Sequence, residues 1–418
     1  MSAASPLPDT YDLCIIGAGV SGLCLATTAS RLGLRTLVLE RRPEAGGCLG
    51  SVPMGSGAAP GWLELGAHTC YNSYLSFLDA MAGTELLARA VPRKGLGFRM
   101  LRGGVLRSIP ACLDYLELLH CLPRAFWTAK ADRTTEAYYG RILGPRNWDQ
   151  VLHPMLNAVA SQETAEFPAD ALFHQRNGRR KDVLRSFAVR GGLGPAVQAL
   201  AALPGIHCVL DREAVAVTPS DKGSQTSDHD GAGFTVGTDR GESFQARHLA
   251  LATPAPEAAR LLGSDWPGIA GLLARIQTRR VQTLGVVFQD PQTHLPRLTG
   301  LVLPDSPCFS AVSADTFPVP GQRAWSLHFD GGRGLDDEAM LDCACRLLGT
   351  PRSAVTARFR RDHALPAVAL GHARWLQELD QSLAGTGLMV VGNYLSGLSI
   401  EDCAGRAQRE GQRVLRPR

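Results

Sequence analysis

A chain of 418 residues exceeds one ordinary domain, and 45% hydrophobic against 20% charged residues excludes a disordered or fibrous protein. Its net charge of +4, from 43 basic and 39 acidic residues, does not mark a nucleic-acid-binding protein, and no such partner is expected. Eleven cysteines without a C-x-x-C pair, and no cluster at metal-ligand spacing, point to a reduced cytoplasmic chain with no metal site.

Residues 1–10 read as a disordered lead. A buried strand is predicted over Asp12–Gly17, a helix over Ser21–Leu32 and a second strand over Arg35–Glu40, together one βαβ unit. From Ala111 to Arg185 large apolar residues recur at three- and four-residue spacings, broken by Pro123, Pro145, Pro154 and Pro168, so this block reads as helical. Within it Leu116, Leu119, Leu122, Phe126 and Trp127 lie near Arg124, Lys130 and Arg133, as on a helical surface resting on a membrane or as the wall of a buried subdomain. A helix follows over Pro195–Leu203, then strands over Cys208–Val217, Gly233–Thr238 and His248–Ala252, with the polar segment Ser220–Gly233 as an exposed hairpin loop. Further strands are expected at Val281–Phe288, Gly300–Leu303, Ala324–Phe329 and Gly387–Val391, the last leading into a closing helix. No run of about 18 apolar residues occurs, which leaves a soluble or surface-bound protein.

The strand-to-helix junction carries IIGAGVSG, with Gly17, Gly19 and Gly22 in G-x-G-x-x-G spacing around Val20 and Ser21. The first glycine permits a tight turn, the second lets backbone approach a diphosphate, and the third allows the helix to pack on the strand. The helix N-terminus then offers unpaired N–H groups to phosphate. Glu40 ends the second strand, where a carboxylate can accept hydrogen bonds from both ribose hydroxyls and disfavours a 2′-phosphate. Arg41 follows it, and then the Gly46-Gly47 pair. Next comes ELGAHT, with Gly66, Ala67 and His68, whose imidazole reads as a structural hydrogen-bonding group rather than a catalytic base. Ser399, with Asp402 three residues on, has the spacing of a capping box.

Taken with GFRMLRGGVLRSIP from Gly97, FAVRGGLG from Phe187, LPAVALGH from Leu365 and GLMVVGNYLSGLSIEDC from Gly387, the chain resembles, nearly end to end, the protoporphyrinogen oxidase branch of the flavin amine oxidase superfamily. The resemblance implies an α/β fold in which an FAD-binding Rossmann-like domain (11–75, 187–262 and 376–418) is interleaved with a mixed-sheet substrate domain (76–110 and 263–375) and a helical subdomain (111–186). It implies FAD as cofactor, with the glycine turn, Glu40, Arg41, Gly46, Gly47, Gly66, Ala67 and His68 at the cofactor and Val215 at its adenine half. Gly392, Asn393, Leu398, Ser399 and Ile400 would lie at the isoalloxazine. A basic residue on the strand that bears Arg99 and Arg102 would meet a substrate propionate. The reaction implied is oxidation of protoporphyrinogen IX to protoporphyrin IX in haem biosynthesis, with flavin-mediated hydride transfer, O2 as acceptor and no catalytic side chain. The closing motif departs from the family in carrying Gly-Leu-Ser where Gly-Val-Gly is usual. An amine oxidase or desaturase of a specialised metabolite would share these cofactor residues, and a silent flavin-binding relative would keep them without turnover.

Overall fold

The computed structural model describes residues 10–55, 61–82, 84–93, 95–171, 176–220, 233–289 and 293–417. Strand β1 (Thr10–Ile16), helix α1 (Val20–Arg31) and strand β2 (Thr36–Leu39) form the predicted βαβ unit to within two residues. The lead, apart from Thr10, and residues 221–232 of the expected hairpin loop lie outside the described residues.

Around β1 grows a parallel sheet in the order Ile206–Val209, β2, β1, Ser243–Leu251, Leu388–Val390. Strands Phe234–Thr238 and Ala214–Pro219 extend Ser243–Leu251 as an antiparallel meander. Burial on both faces explains the unbroken apolar runs. Leu13 and Ile15 of β1 pack into the cluster holding Leu23 of α1 and Ala404 of the last helix, Ile400–Val414. Cys14 and Ile16, on the opposite face, join Leu261, Leu273 and Leu379. These last three belong to helices Ala255–Leu262, Pro267–Ala274 and His372–Leu383, which the sequence reading did not anticipate.

A second sheet runs in the order Val355–Ala367, Gln277–Gln289, Gln322–Asp330, Cys308–Ser313, Gly300–Val302, Phe98–Arg102, Val105–Ser108. One face, through Leu284, Val286, Trp325, Leu327 and Phe329, buries against helix Asp337–Leu348. The other face turns to the first unit. His363 bonds the Leu65 carbonyl at 3.1 Å, and the Ser326 hydroxyl donates to the carbonyl of Glu64. A Cβ at Gly285 would stand 2.7 Å from Leu65 Cδ2, so that glycine lets hairpin Ser51–Met54/Gly61–Glu64 pass close over the sheet.

Two expectations need correction. The helical block ends at Ala160, where Ser161 turns left-handed at φ +53°, and no helix follows among the described residues up to Ser186. Residues 176–185 are too polar and too short of apolar periodicity to continue it. The expected interruptions at Pro123, Pro145 and Pro154 do occur: the α-helix Tyr115–Cys121 tightens to a 3-10 turn at Leu122–Phe126, Gly144 at φ +95° separates Thr135–Leu143 from Pro145, and a π-helical turn, Trp148–Leu152, precedes His153–Ala160. The run Cys208–Val217 is two strands. Its break at 210–213 is held by the chain after β2, Asp211 N–H bonding the Arg42 carbonyl at 3.1 Å and Arg212 N–H the Glu40 carbonyl at 2.9 Å.

Candidate functional site

The carboxyl ends of β1, β2, Ser243–Leu251 and Leu388–Val390 open onto one cleft of about 1310 Å³, part of it open to solvent. Strand ends in parallel sheets are where such sites form.

At the cleft floor Gly17 has φ +107°, and a Cβ there would lie 2.7 Å from the Ala252 carbonyl oxygen. A Cβ on Gly22 would lie 2.1 Å from the Gly17 oxygen, so α1 can start this close to β1 only with glycine at that position. Gly19, Val20 and Ser21 line the cleft, as do Glu40 and Arg41. Glu40 is buried, its Oε2 accepting from Ala18 N–H at 2.8 Å and its Oε1 from Arg42 N–H at 3.0 Å, which fixes the carboxylate at the end of β2. Gly47 also lines the cleft, and its carbonyl takes hydrogen bonds from Arg42 (3.4 Å) and Arg361 (2.8 Å). Gly46 stands behind it, bonding the Ala18 carbonyl through its own N–H at 2.9 Å.

The other end of the cleft is built by Ala67, Gly392, Asn393, Leu398 and Ile400. The capping box forms as read: Ser399 Oγ accepts from Asp402 N–H at 3.1 Å, and Asp402 Oδ2 from Ser399 N–H at 3.2 Å. Ser399 caps the helix rather than lining the cleft. Arg176 Nη2 bonds the Ser399 hydroxyl at 2.7 Å and Asp402 at 3.2 Å, with its guanidinium over the Tyr74 ring. Ile400, the first residue of this helix, lines the cleft, so the positive end of the helix faces it, with the Arg176–Asp402 ion pair alongside the cap.

Not every expected residue reaches the cleft. Val215 is 43% exposed beside a β-bulge, and its neighbours Arg212, Glu213 and Ala214 line the cleft instead. Gly66 and His68 flank Ala67 without lining it. Arg99 donates to its neighbour's carbonyl at Phe98, Arg102 pairs with Asp305 at 3.8 Å, and neither lines this cleft. Ala252, Thr253 and Pro254 line the cleft and were not anticipated, although their place just after the strand read over His248–Ala252 was a usable signal. His363 and Ala364 enter from the second sheet, which no local pattern marks.

Beside Ala67 lies a smaller slot of about 300 Å³, lined by Trp62, Glu64, His68, Arg93, Ser313 and Phe317 among others. Trp62 and Phe317 stack at 4.8 Å. Burial in the slot, with the Arg93 cation adding to it, pushes the His68 imidazole down to about 4, so it is neutral at ordinary pH. Burial lifts the Glu64 carboxyl to about 7, against the opposing pull of the Ser51 hydroxyl (2.5 Å) and Leu193 N–H (3.0 Å). The folded chain thus holds this proton more tightly than the unfolded one. Glu64 costs nothing below its ordinary value near 4.5, and its cost grows with pH to its full size above about 7. Glu64→Gln, which preserves the acceptor for Leu193, is expected to stabilise the protein by about 3 kcal/mol at pH 9 and not at pH 4. Thermal melts at the two pH values check it, and equal shifts at both would remove the ionisation from the account.

Comparison with known proteins agrees with this geometry. Residues 15–80 match the NAD(P)-binding Rossmann-like domain. A stretch of 45 residues is 44% identical to the inactive all-trans-retinol 13,14-reductase of Danio rerio, and spans 11% of this chain and 8% of that protein. Among solved structures, a putative protoporphyrinogen oxidase from Exiguobacterium sp. 255-15 superimposes with a TM-score of 0.77 at 18% identity, over 97% of this chain and 98% of that one. A reduced UDP-galactopyranose mutase gives 0.71 at 17% identity over 96% and 93%. Cyclohexylamine oxidase from Brevibacterium oxydans IH-35A gives 0.69 at 15% identity over 97% and 99%. The chain therefore shares, nearly end to end, the fold of these solved structures, the α/β architecture that its motifs implied, with a dinucleotide-binding Rossmann-like unit at its start.

Proposed function

We propose that the protein is an FAD-dependent oxidoreductase, and that it oxidises protoporphyrinogen IX to protoporphyrin IX with O2 as acceptor. The observation that carries the cofactor reading is the single cleft running from Glu40 and the glycine turn to Ala67, Gly392, Asn393, Leu398 and Ile400. A nicotinamide dinucleotide would account for its first half but not for the closing helix at its far end. Two features of the lining fit FAD. A Cβ at Gly19 would meet no protein atom nearer than 3.7 Å, so the space before it is open to a ligand. The Thr253 hydroxyl in the cleft is buried and has no partner among the described residues.

Glu40 and the Gly17–Gly22 turn would hold the ribose and diphosphate, and the far group of residues the ring system. When bound, FAD supplies a two-electron acceptor, so that three rounds remove the six electrons and six protons and give three molecules of hydrogen peroxide. The protein's part is to place the substrate and to set the positive end of helix Ile400–Val414 where negative charge accumulates. The half-buried Arg93 in the adjoining slot favours an acidic substrate over the cationic amine of an amine oxidase. The deciding experiment records the visible spectrum of the purified protein and follows porphyrin fluorescence and peroxide after aerobic addition of protoporphyrinogen IX. A flavin spectrum with enzyme-dependent growth supports the whole reading. A flavin spectrum without growth above autoxidation moves the assignment to another oxidase substrate, and no flavin at all removes the cofactor reading.

No described helix is long and apolar enough to cross a membrane. Leu116 (82% exposed), Leu119, Phe126 (90%) and Trp127 nevertheless project from Tyr115–Cys121 and the turn after it, beside Arg124, Lys130 and Arg133. This apolar tip with a basic margin suits the surface of an anionic bilayer. Leu116→Glu/Phe126→Glu is expected to lower co-sedimentation with phosphatidylserine vesicles at least about tenfold, each side chain contributing about 1.5–3 kcal/mol when buried. Equal sedimentation of variant and wild type would exclude the tip as the contact.

A further inference from the structure

Residues 176–190 carry six basic side chains and one acidic, Asp182, a surplus larger than the chain's whole net charge of +4. Asp182 is paired with Arg180, and nearby Asp79 with Arg31. Arg179, Lys181, Arg185 and Arg190 are exposed and form no ion pair among the described residues. Arg89 joins them. Ala90 and Val189 are partners across a strand pair, and Arg190 N–H bonds the Arg89 carbonyl at 2.9 Å, which sets two arginines opposite each other. Like charges so placed repel, and neither has a carboxylate among the described residues. The segment is nevertheless held in place. The Asn72 carbonyl accepts from Arg180 N–H at 2.9 Å, the Asn72 side chain donates to the Arg180 and Val183 carbonyls, and a Cβ on Gly178 would lie 3.1 Å from Leu75 Cδ1. On the resulting face Tyr71, Leu75 and Leu184, between 38% and 43% exposed, lie among the cations.

We infer that this face docks an acidic protein, a one-electron carrier that draws electrons from the cofactor. Cations without counter-charges on a fixed surface match a partner's carboxylates, and such complementarity speeds encounter more than it strengthens the complex. The apolar area at its centre is small, as in the transient contacts through which electron carriers work. A bilayer fits this face poorly. Its apolar side chains are less than half exposed, whereas Leu116 and Phe126 of the helical tip stand 82% and 90% exposed. Its position ties it to the cofactor. The segment starts at Arg176, which bonds Ser399 and Asp402 at the cap of helix Ile400–Val414 and lies over Tyr74, itself edge-on to Tyr71, and Ile400 lines the ring end of the cleft. The inference rests on the FAD reading, and on neither the porphyrinogen nor O2. When FAD is reduced, two molecules of the carrier would each take one electron, the two protons would pass to solvent, and the cofactor would be oxidised again.

The test uses the FAD-loaded protein, reduced anaerobically, with the acidic cytochrome b5 and the basic cytochrome c as acceptors. The rate of cytochrome b5 reduction is expected to fall at least about tenfold between about 0.01 M and about 1 M ionic strength, as an attraction between surface charges does. Arg179→Glu/Lys181→Glu/Arg185→Glu should lower that rate at least about tenfold at low salt and raise the rate with cytochrome c. Its flavin spectrum, melting temperature and reoxidation by O2 should match those of wild type. Arg179→Gln/Lys181→Gln/Arg185→Gln, which removes the charge without reversing it, should lose an intermediate amount. A charge-reversed protein that reduces cytochrome b5 as fast as wild type overturns the proposal, as does a wild type indifferent to salt. Binding to phosphatidylserine vesicles that depends on the three residues, with cytochrome b5 reduction indifferent to them, would assign the face to a bilayer instead. A protein that holds FAD and turns over with O2 but not with cytochrome b5 keeps the functional reading and loses this one, whereas a protein without FAD loses both.

Discussion

Gly19→Val is expected to give a folded protein that carries no FAD. At this residue the backbone is extended (φ −76°, ψ 177°), which valine adopts freely, and a Cβ would come no nearer to the protein than 3.7 Å, at Gly47 Cα. The fold therefore has no objection to the side chain. The ligand has, because Gly19 lines the cleft where α1 begins and a branched side chain would occupy the approach to its N–H groups. The loss should exceed about 100-fold in affinity, about 3 kcal/mol. The control is Gly22→Val. There a Cβ would meet the Gly17 oxygen at 2.1 Å and the Ala252 Cβ at 3.1 Å, so the turn itself must move and stability should fall with occupancy. Flavin-to-protein ratio and thermal melting, measured on both variants after reconstitution with FAD, separate the two roles. Normal occupancy in Gly19→Val would place the cofactor elsewhere than in this cleft.

That contrast also explains what the sequence could disclose. The βαβ unit is legible because its glycines, its apolar runs and Glu40 lie within one local element whose geometry is fixed by short-range sterics. Ser399 and Asp402 are legible for the same reason, a capping box being a relation across three residues. Strand Val355–Ala367 was missed because its two faces carry charge for different purposes. Arg360 and Asp362 meet a surface ion network, whereas Arg361 and His363 are turned to the first unit, so no apolar alternation survives. The slot is a tertiary product altogether. Trp62, Arg93 and Phe317 come from segments far apart in sequence, and neither a guanidinium set beside Glu64 nor a stacked ring pair can be seen before the chain has folded. Arg99 and Arg102 drew attention because they sit in a motif, yet a basic residue in a motif says nothing about which surface it faces.

The largest loss of stability is expected from Arg323→Met. Arg323 and Asp315 are 2% and 1% exposed, joined by Nη2 to Oδ2 at 2.5 Å and by Nε to Oδ1 at 3.0 Å. Arg323 also serves the carbonyls of Leu295 (2.6 Å) and Pro296 (3.0 Å), and Asp315 accepts from Leu298 N–H at 3.1 Å. Methionine fills much of the volume but takes from the buried carboxylate its bidentate partner, leaving it the longer 3.6 Å contact with Arg297, and leaves two carbonyls that must find other donors. Removing one member of such a pair costs about 3–5 kcal/mol. Removing the charge from both should cost less, so Asp315→Asn added to Arg323→Met is expected to recover part of the loss, as urea unfolding of the three proteins would measure. A single variant within about 1 kcal/mol of wild type would mean that water reaches the pair. The consequence reaches beyond stability, because Asp315 lies between Ser313 and Phe317, which line the slot. When the pair is broken, the segment that brings Phe317 onto Trp62 keeps the Leu298 N–H bond to Asp315 but loses the part of its tie to the 295–298 loop that runs through Arg323.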